Sequence, residues 1–129
     1  MAGTVICLDT NYLIRGLVSG SPEAEKIKSW LQAGIPLCAP SVVWYEFICG
    51  PVESKEINIM RRVLTAGIHS FGEIEAAEAA KLFNAVGRVR RLRIDAMIAA
   101  AAVTARAELA TSNIADFTLF EPHGLMLIR

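Results

Sequence analysis

Residues 4–11 read Thr-Val-Ile-Cys-Leu-Asp-Thr-Asn, a short apolar run that stops at three polar residues. The run begins with β-branched residues and stays apolar through Leu8, which is typical of a strand buried on both faces of a parallel sheet. Asp9, Thr10 and Asn11 are residue types that commonly begin helices. A buried strand followed at once by a helix start indicates a βαβ unit, with Asp9 at the carboxyl end of its first strand.

The same alternation of apolar runs and helix signals continues along the chain. Further strands are predicted over 35–39, 68–71, 109–112 and 125–129. Helices are predicted over 12–18, 22–33, 42–49, 53–66, 73–86 and 94–109, with loop or short helix over 87–93 and 113–120. This order predicts an α/β fold in which helices cover both faces of a central, mostly parallel, twisted sheet of four to five strands. No shift in composition divides the chain, so residues 1–129 are expected to form a single domain.

Composition and charge exclude several classes of protein. Hydrophobic residues make up 53% and charged residues 20% of the 129 residues, which excludes intrinsic disorder. Thirteen basic and 13 acidic residues cancel, so contact with nucleic acid would have to come from a local basic patch. The apolar run at 96–103 is far shorter than the ~20 residues of a membrane span, and no membrane association is expected. Residues 1–5 contain no basic residue, so we predict no signal peptide and a cytoplasmic location.

The three cysteines show no metal-binding or disulfide pattern. Their number is odd and no Cys-x-x-Cys spacing occurs. Cys7 and Cys38 each lie inside an apolar run, and we interpret them as small buried hydrophobic residues in a reducing compartment.

Four acidic residues fall where the predicted strands end or the following helices begin. Asp9 follows the first strand, Glu46 lies on the helix after the second, Asp95 begins the alanine-rich helix, and Asp116 follows the fourth strand. Helix capping or a turn would also explain the three aspartates. Glu46 is harder to explain in that way, since it lies in an apolar segment with no basic residue between positions 36 and 55.

Several carboxylates that converge in one cleft repel one another and therefore raise their pKa values or require a cation. Oxygen ligands favour a hard divalent cation, here Mg²⁺ or Mn²⁺, and no cluster of histidines suits zinc. Carboxylate-bound metal ions of this kind are suited to phosphodiester hydrolysis.

Four segments, in this order, resemble the PIN domain and, more narrowly, the VapC-like toxin ribonucleases of bacterial toxin–antitoxin pairs. They are Leu-Asp-Thr-Asn-Tyr-Leu-Ile at 8–14, Val-Val-x-x-Glu at 42–46, Asp-Ala-Met-Ile-Ala-Ala at 95–100 and Thr-Ser-Asn-Ile-Ala-Asp-Phe at 111–117. The resemblance covers nearly the whole chain. It implies a Mg²⁺- or Mn²⁺-dependent endoribonuclease that forms a homodimer and is inhibited by a cognate antitoxin.

The resemblance also implies roles for individual residues. The positions that match the acids of the family, as metal ligands and catalytic residues, are Asp9, Glu46, Asp95 and Asp116. Thr111 and Asn113 match supporting polar positions, and Asn11 is expected to hydrogen-bond nearby.

Four arginines, three of them shortly before Asp95, are candidate contacts to RNA phosphates, since the guanidinium fork matches phosphate geometry. The residues in this group are Arg15, Arg90, Arg91 and Arg93. A solvated helix end explains the arginines of 88–93 equally well.

Two other functions stay open. One is a catalytically silent PIN-like protein that binds RNA or acts as a scaffold. The other is a phosphatase of the haloacid-dehalogenase type with Asp9 as nucleophile, although that chemistry needs a second acid where this chain has Asn11. Cleavage of RNA strands, as opposed to small phosphate esters, distinguishes the nuclease from both.

Overall fold

The structure, a computed structural model, describes residues 4–129, which form five strands and seven α-helices. The strands are β1 (Val5–Leu8), β2 (Leu37–Pro40), β3 (Gly67–His69), β4 (Ala107–Ala110) and β5 (Met126–Leu127). The helices are α1 (Thr10–Arg15), α2 (Pro22–Gln32), α3 (Ser41–Cys49), α4 (Ser54–Val63), α5 (Glu73–Ala85), α6 (Arg93–Thr104) and α7 (Ile114–Phe117). Short 3-10 helices span Arg90–Leu92 and Thr118–His123.

All five strands are parallel, in the order β3-β2-β1-β4-β5, which confirms the predicted sheet. β1 lies at the centre, and Cys7 on it pairs with Cys38 of β2 and Leu109 of β4. The chain adds β2 and β3 on one side of β1 and then β4 and β5 on the other. The direction of winding therefore reverses between β1 and β4, and their carboxyl ends flank the crevice where such sheets bind ligands.

Helices cover both faces of the sheet. Right-handed crossovers place α1–α4 on one face and α5 and α6 on the other. Consistent with this, α1 contacts α2 and α3, whereas α5 packs along α6. The buried run of alanines at 99–102 allows α6 to lie close to the sheet.

Four helices, α1, α3, α4 and α6, begin one or two residues away from the predicted start. We expected α1 over 12–18, but it begins at Thr10 because the Asp9 side chain caps it by accepting a hydrogen bond from the Thr10 backbone N–H. We predicted α3 over 42–49, but it begins at Ser41, and Pro40 occupies the N-cap position. The Ser41 hydroxyl accepts a hydrogen bond from the Phe71 backbone N–H, which joins α3 to the segment after β3.

The predicted helix over 94–109 is wrong at its C-terminal end. α6 ends at Thr104, and the chain turns through Arg106, which has a left-handed φ of 55°. β4 then begins at Ala107, two residues before the predicted strand start.

No helix within residues 4–129 is long and apolar enough to cross a membrane. Residues 1–3 belong to the segment in which we predicted no signal peptide, and they lie outside the described residues.

Candidate active site

Asp9 lies at the carboxyl end of β1 with only 7% of its surface exposed. Its carboxylate accepts hydrogen bonds from the Thr10 backbone N–H and from the Thr111 hydroxyl, each at 2.7 Å. Burial raises the pKa of Asp9 and the charge of Glu46 adds to this, while the two hydrogen bonds oppose it. Both carboxylate oxygens are therefore held in place in a largely desolvated position beside the crevice.

Thr111 joins Asp9 to the segment after β4. Its hydroxyl donates to Asp9 and accepts from the backbone N–H of Asn113 at 3.0 Å. The Asn113 side-chain amide in turn donates to Asp116 at 3.2 Å. A continuous chain of hydrogen bonds thus connects Asp9 with Asp116, through the two residues that we expected to be supporting polar positions.

Glu46 is half-buried on α3 and accepts a hydrogen bond of 2.6 Å from the Thr10 hydroxyl. We did not predict a role for Thr10 beyond helix initiation. The signal was a hydroxyl directly after the strand-end acid, at the first residue of a helix. Since Thr10 contacts Asp9 through its backbone and Glu46 through its side chain, it fixes the position of one carboxylate relative to the other.

Asp95 lies in the first turn of α6 and is half-buried. Burial is the main cause that raises its pKa to about 6, and the charges of the other three acids contribute. A nearby guanidinium, that of Arg91, opposes the increase. The four candidate acids are therefore close enough to act on one another electrostatically.

Asp116 differs from the other acids because the guanidinium of an arginine already neutralises its charge. Arg91 donates to its carboxylate at 2.6 Å, and this contact, followed by the Asn113 amide, lowers the pKa of Asp116. Of the candidate RNA contacts, Arg91 thus lies at the acids. Arg15 pairs with Glu23 on α2 instead, at 3.0 Å.

The other predicted RNA contacts, Arg90 and Arg93, and the supporting residue Asn11 lie at the surface. Arg93 stacks on the Phe83 ring, with 5.1 Å between guanidinium carbon and ring centroid, and Arg90 is exposed. The exposed Asn11 amide donates to the Ser112 hydroxyl at 3.3 Å, which links the start of α1 to the end of β4.

The side chains of the site offer carboxylate oxygens, which are the ligands that hard divalent cations prefer. Within residues 4–129 no three His, Cys, Asp or Glu side chains lie close enough together to hold an ion directly. Mg²⁺ in proteins keeps several waters and uses one or two carboxylates, so the arrangement suits an ion held partly through water.

Comparison with known proteins identifies a family and several solved structures of similar fold. A family model described as PIN domain matches residues 6–118. VapBC2 from Rickettsia felis, crystallised with a DNA fragment from their promoter, has a TM-score of 0.71 and 16% identity over 97% of this chain and 98% of that chain. FitAcB from Neisseria gonorrhoeae gives a TM-score of 0.69 and 20% identity over 96% of both chains. A toxin–antitoxin complex from Klebsiella pneumoniae gives 0.66 and 29% identity over 87% of this chain and 89% of that chain. No curated protein matches the sequence.

Proposed function

This chain belongs to the PIN domain family, and from that premise we propose that it is a Mg²⁺- or Mn²⁺-dependent endoribonuclease and the toxin of a toxin–antitoxin pair. The observation that carries the proposal is that hydrogen bonds through neighbouring polar residues join Asp9, Glu46 and Asp116 at one edge of the sheet. The charges of these three acids help to raise the pKa of Asp95, and such mutual repulsion at the crevice of a parallel sheet is what a divalent cation would relieve.

The acids Asp9, Glu46, Asp95 and Asp116 are the proposed metal-binding and catalytic residues. One or two of their carboxylates would hold the ion directly and the others through its waters. When bound, the cation would supply positive charge to the scissile phosphate and acidify the attacking water. Thr111 and Thr10 keep the carboxylates of Asp9 and Glu46 in fixed orientations, so little reorganisation precedes the reaction. Near pH 6 the Asp95 carboxylate holds a proton part of the time. Because a carboxylate must lose its proton to bind a metal ion, the metal affinity should fall below that pH.

The proposed contacts to RNA phosphates come from Arg90, Arg91 and Arg93, with Arg15 as a further candidate. These arginines supply a local basic patch to a chain with no net charge. Arg91 lies directly against the acids, and a phosphate at the site would be within reach of its guanidinium.

The proposed protein partners are a cognate antitoxin and a second copy of the chain. An apolar cavity of about 200 Å³ opens between α1 and α3, and Ile14, Val18 and Phe47 are among its lining residues. Ile14 and Val18 are 44% and 49% exposed, so burial of this surface by an antitoxin segment would be favourable. The similar structure from Klebsiella pneumoniae is a toxin–antitoxin complex, which supports this partner. With it we propose a cytoplasmic location and a single domain over residues 1–129.

The test is incubation of a total-RNA pool with purified protein in the presence of Mn²⁺ or EDTA. We expect discrete fragments with Mn²⁺ and none with EDTA or with the Asp95→Asn variant. Glu46→Gln should also abolish cleavage, whereas Glu25→Gln, which changes an exposed acid on α2 in the same way, should cleave like the wild type. Circular dichroism would establish that each variant is folded.

An intact RNA pool after incubation with folded, antitoxin-free protein and Mn²⁺ would contradict the nuclease proposal. RNA binding without cleavage would then favour the silent PIN-like protein. Hydrolysis of small phosphate esters, with RNA left intact, would favour the phosphatase.

A further inference from the structure

Two cysteines that the proposed reaction does not use lie side by side in the sheet. Cys7 on β1 and Cys38 on β2 are directly opposite each other in the parallel register, and both are free thiols. Neighbouring strands lie roughly 4.8 Å apart, within the Cα separations that disulfides span. Because side chains alternate along a strand, Cys7 and Asp9 share one face of β1.

An open cavity of about 600 Å³ reaches one member of this pair from outside. Cys38 is among its lining residues, together with Val5 at the start of β1 and Ala105 directly after α6. Cys7 is fully buried, and Cys38 is 4% exposed. A small molecule in the cavity would therefore meet Cys38 first, with Cys7 as the adjacent second thiol.

We propose that Cys38 and Cys7 form a hydroperoxide-sensitive thiol pair, with Cys38 as the reactive residue and Cys7 as the residue that closes a disulfide between β1 and β2. The neighbouring Cys7 thiol lowers the pKa of Cys38, although burial opposes this, and a thiolate is the form that reacts.

The chemistry is balanced with hydrogen peroxide as the oxidant. The Cys38 thiolate attacks one peroxide oxygen, the O–O bond breaks, the other oxygen leaves as hydroxide, and Cys38 becomes a sulfenic acid. The Cys7 sulfur then attacks the Cys38 sulfur, the S–O bond breaks, and the second hydroxide leaves. The two thiol protons end in two molecules of water, and two electrons pass from sulfur to peroxide.

The pair lies close to the candidate active site, since Cys7 is two residues before Asp9. β1 is followed directly by Asp9, and β2 leads directly into α3, which carries Glu46. A bond between these strands would join the two elements that position Asp9 and Glu46. The thiol chemistry itself is independent of the proposed nuclease activity, so each can fail without the other.

The test is mass spectrometry of the folded, full-length Cys49→Ser variant after treatment with hydrogen peroxide. The exposed Cys49 must be replaced because it shares the tryptic peptide 29–55 with Cys38. We expect the intact mass to fall by two hydrogen atoms, dithiothreitol to reverse this, and the peptides 1–15 and 29–55 to be linked. A second variant, Cys7→Ala with Cys49→Ser, should stop at a sulfenic acid on Cys38 that dimedone traps.

An unchanged mass, or linkage that appears only after unfolding in urea, would overturn the proposal. Oxidation of Cys38 to the sulfinic acid without linkage to Cys7 would do the same. Because the main measurement uses a substitution at an exposed position, it does not depend on whether the Cys7→Ala variant folds.

Discussion

Among single residues, Asp95 shows how burial and neighbouring negative charge combine on one carboxylate. Its pKa is raised from 3.8 to about 6 in the folded protein. The folded state therefore binds the Asp95 proton more tightly than the unfolded state does. The stability that this proton contributes is fully present below pH 3.8 and is lost as the pH rises through about 6.

It follows that Asp95→Asn should stabilise the protein in the absence of divalent cations at pH 7. Since solvent screens this half-buried carboxylate, we expect a gain of only about 1 kcal/mol in the free energy of unfolding, because the variant removes a charge that three other acids repel. The gain should shrink as the pH falls below about 6, the pKa of Asp95. Urea unfolding at pH 7 and at pH 4, in EDTA, would measure both effects.

Asp116→Asn is the matched control at the same site. Its pKa is lowered by Arg91 and Asn113, so the charged form of Asp116 favours folding. That contribution is present above the unfolded pKa and is lost as the pH falls through the folded one. Asp116→Asn should therefore not stabilise the protein at pH 7, and equal gains from the two variants would contradict the assigned charge environment.

At the scale of elements, the strands and helices could be predicted where an apolar run is interrupted by residues that commonly begin helices. β1 was predictable because Asp9 and Thr10 interrupt a short apolar run, and α2 because Ser21 and Pro22 mark its start. The end of α6 was not predictable. Alanines on both sides of Thr104 continue a helical pattern, and the residue that reverses the chain is Arg106, where glycine is usual.

Arg106 allows a direct test of that explanation. Its φ of 55° is left-handed, its side chain is exposed, and its backbone N–H donates to the carbonyl of Val103 at 3.1 Å. Arg106→Gly should stabilise the protein by roughly 0.5–1 kcal/mol, since glycine adopts this conformation without steric cost. Arg106→Ala removes the same side chain but keeps the Cβ atom and should give no gain. Thermal unfolding of both variants measures the difference, and equal melting temperatures would show that the turn is not strained.

For the molecule as a whole, the location of the site could be predicted but its internal contacts could not. A parallel sheet places the carboxyl ends of β1 and β4 together, so Asp9 and the segment from Thr111 to Asp116 were expected to meet. The bond from Thr10 to Glu46 joins positions 36 apart in sequence, and that from Arg91 to Asp116 joins positions 25 apart. Such contacts depend on how helices dock on the sheet, which no local pattern encodes.

The balance of charge in the assembled site leads to a prediction for the binding of Mg²⁺. A cation that binds the folded state alone stabilises it by about 2.7 kcal/mol at a hundred times its dissociation constant. For a chain of this size that is on the order of 10 °C in melting temperature. Since Arg91 already neutralises Asp116, Arg91→Ala should leave the acids with more net negative charge and shift the Mg²⁺ titration to lower concentration.

The control for that titration is Arg90→Ala, which removes an exposed guanidinium from the adjacent position in the same 3-10 helix. Arg90 should have a smaller effect, because the side chain that contacts Asp116 is that of Arg91. Differential scanning fluorimetry over a range of Mg²⁺ concentrations gives the midpoints for the wild type and both variants without any measurement of RNA cleavage. Coincident midpoints for all three proteins would mean that the cation does not compete with Arg91 for Asp116. A wild-type melting temperature that does not respond to Mg²⁺ would count against a metal site among these acids altogether.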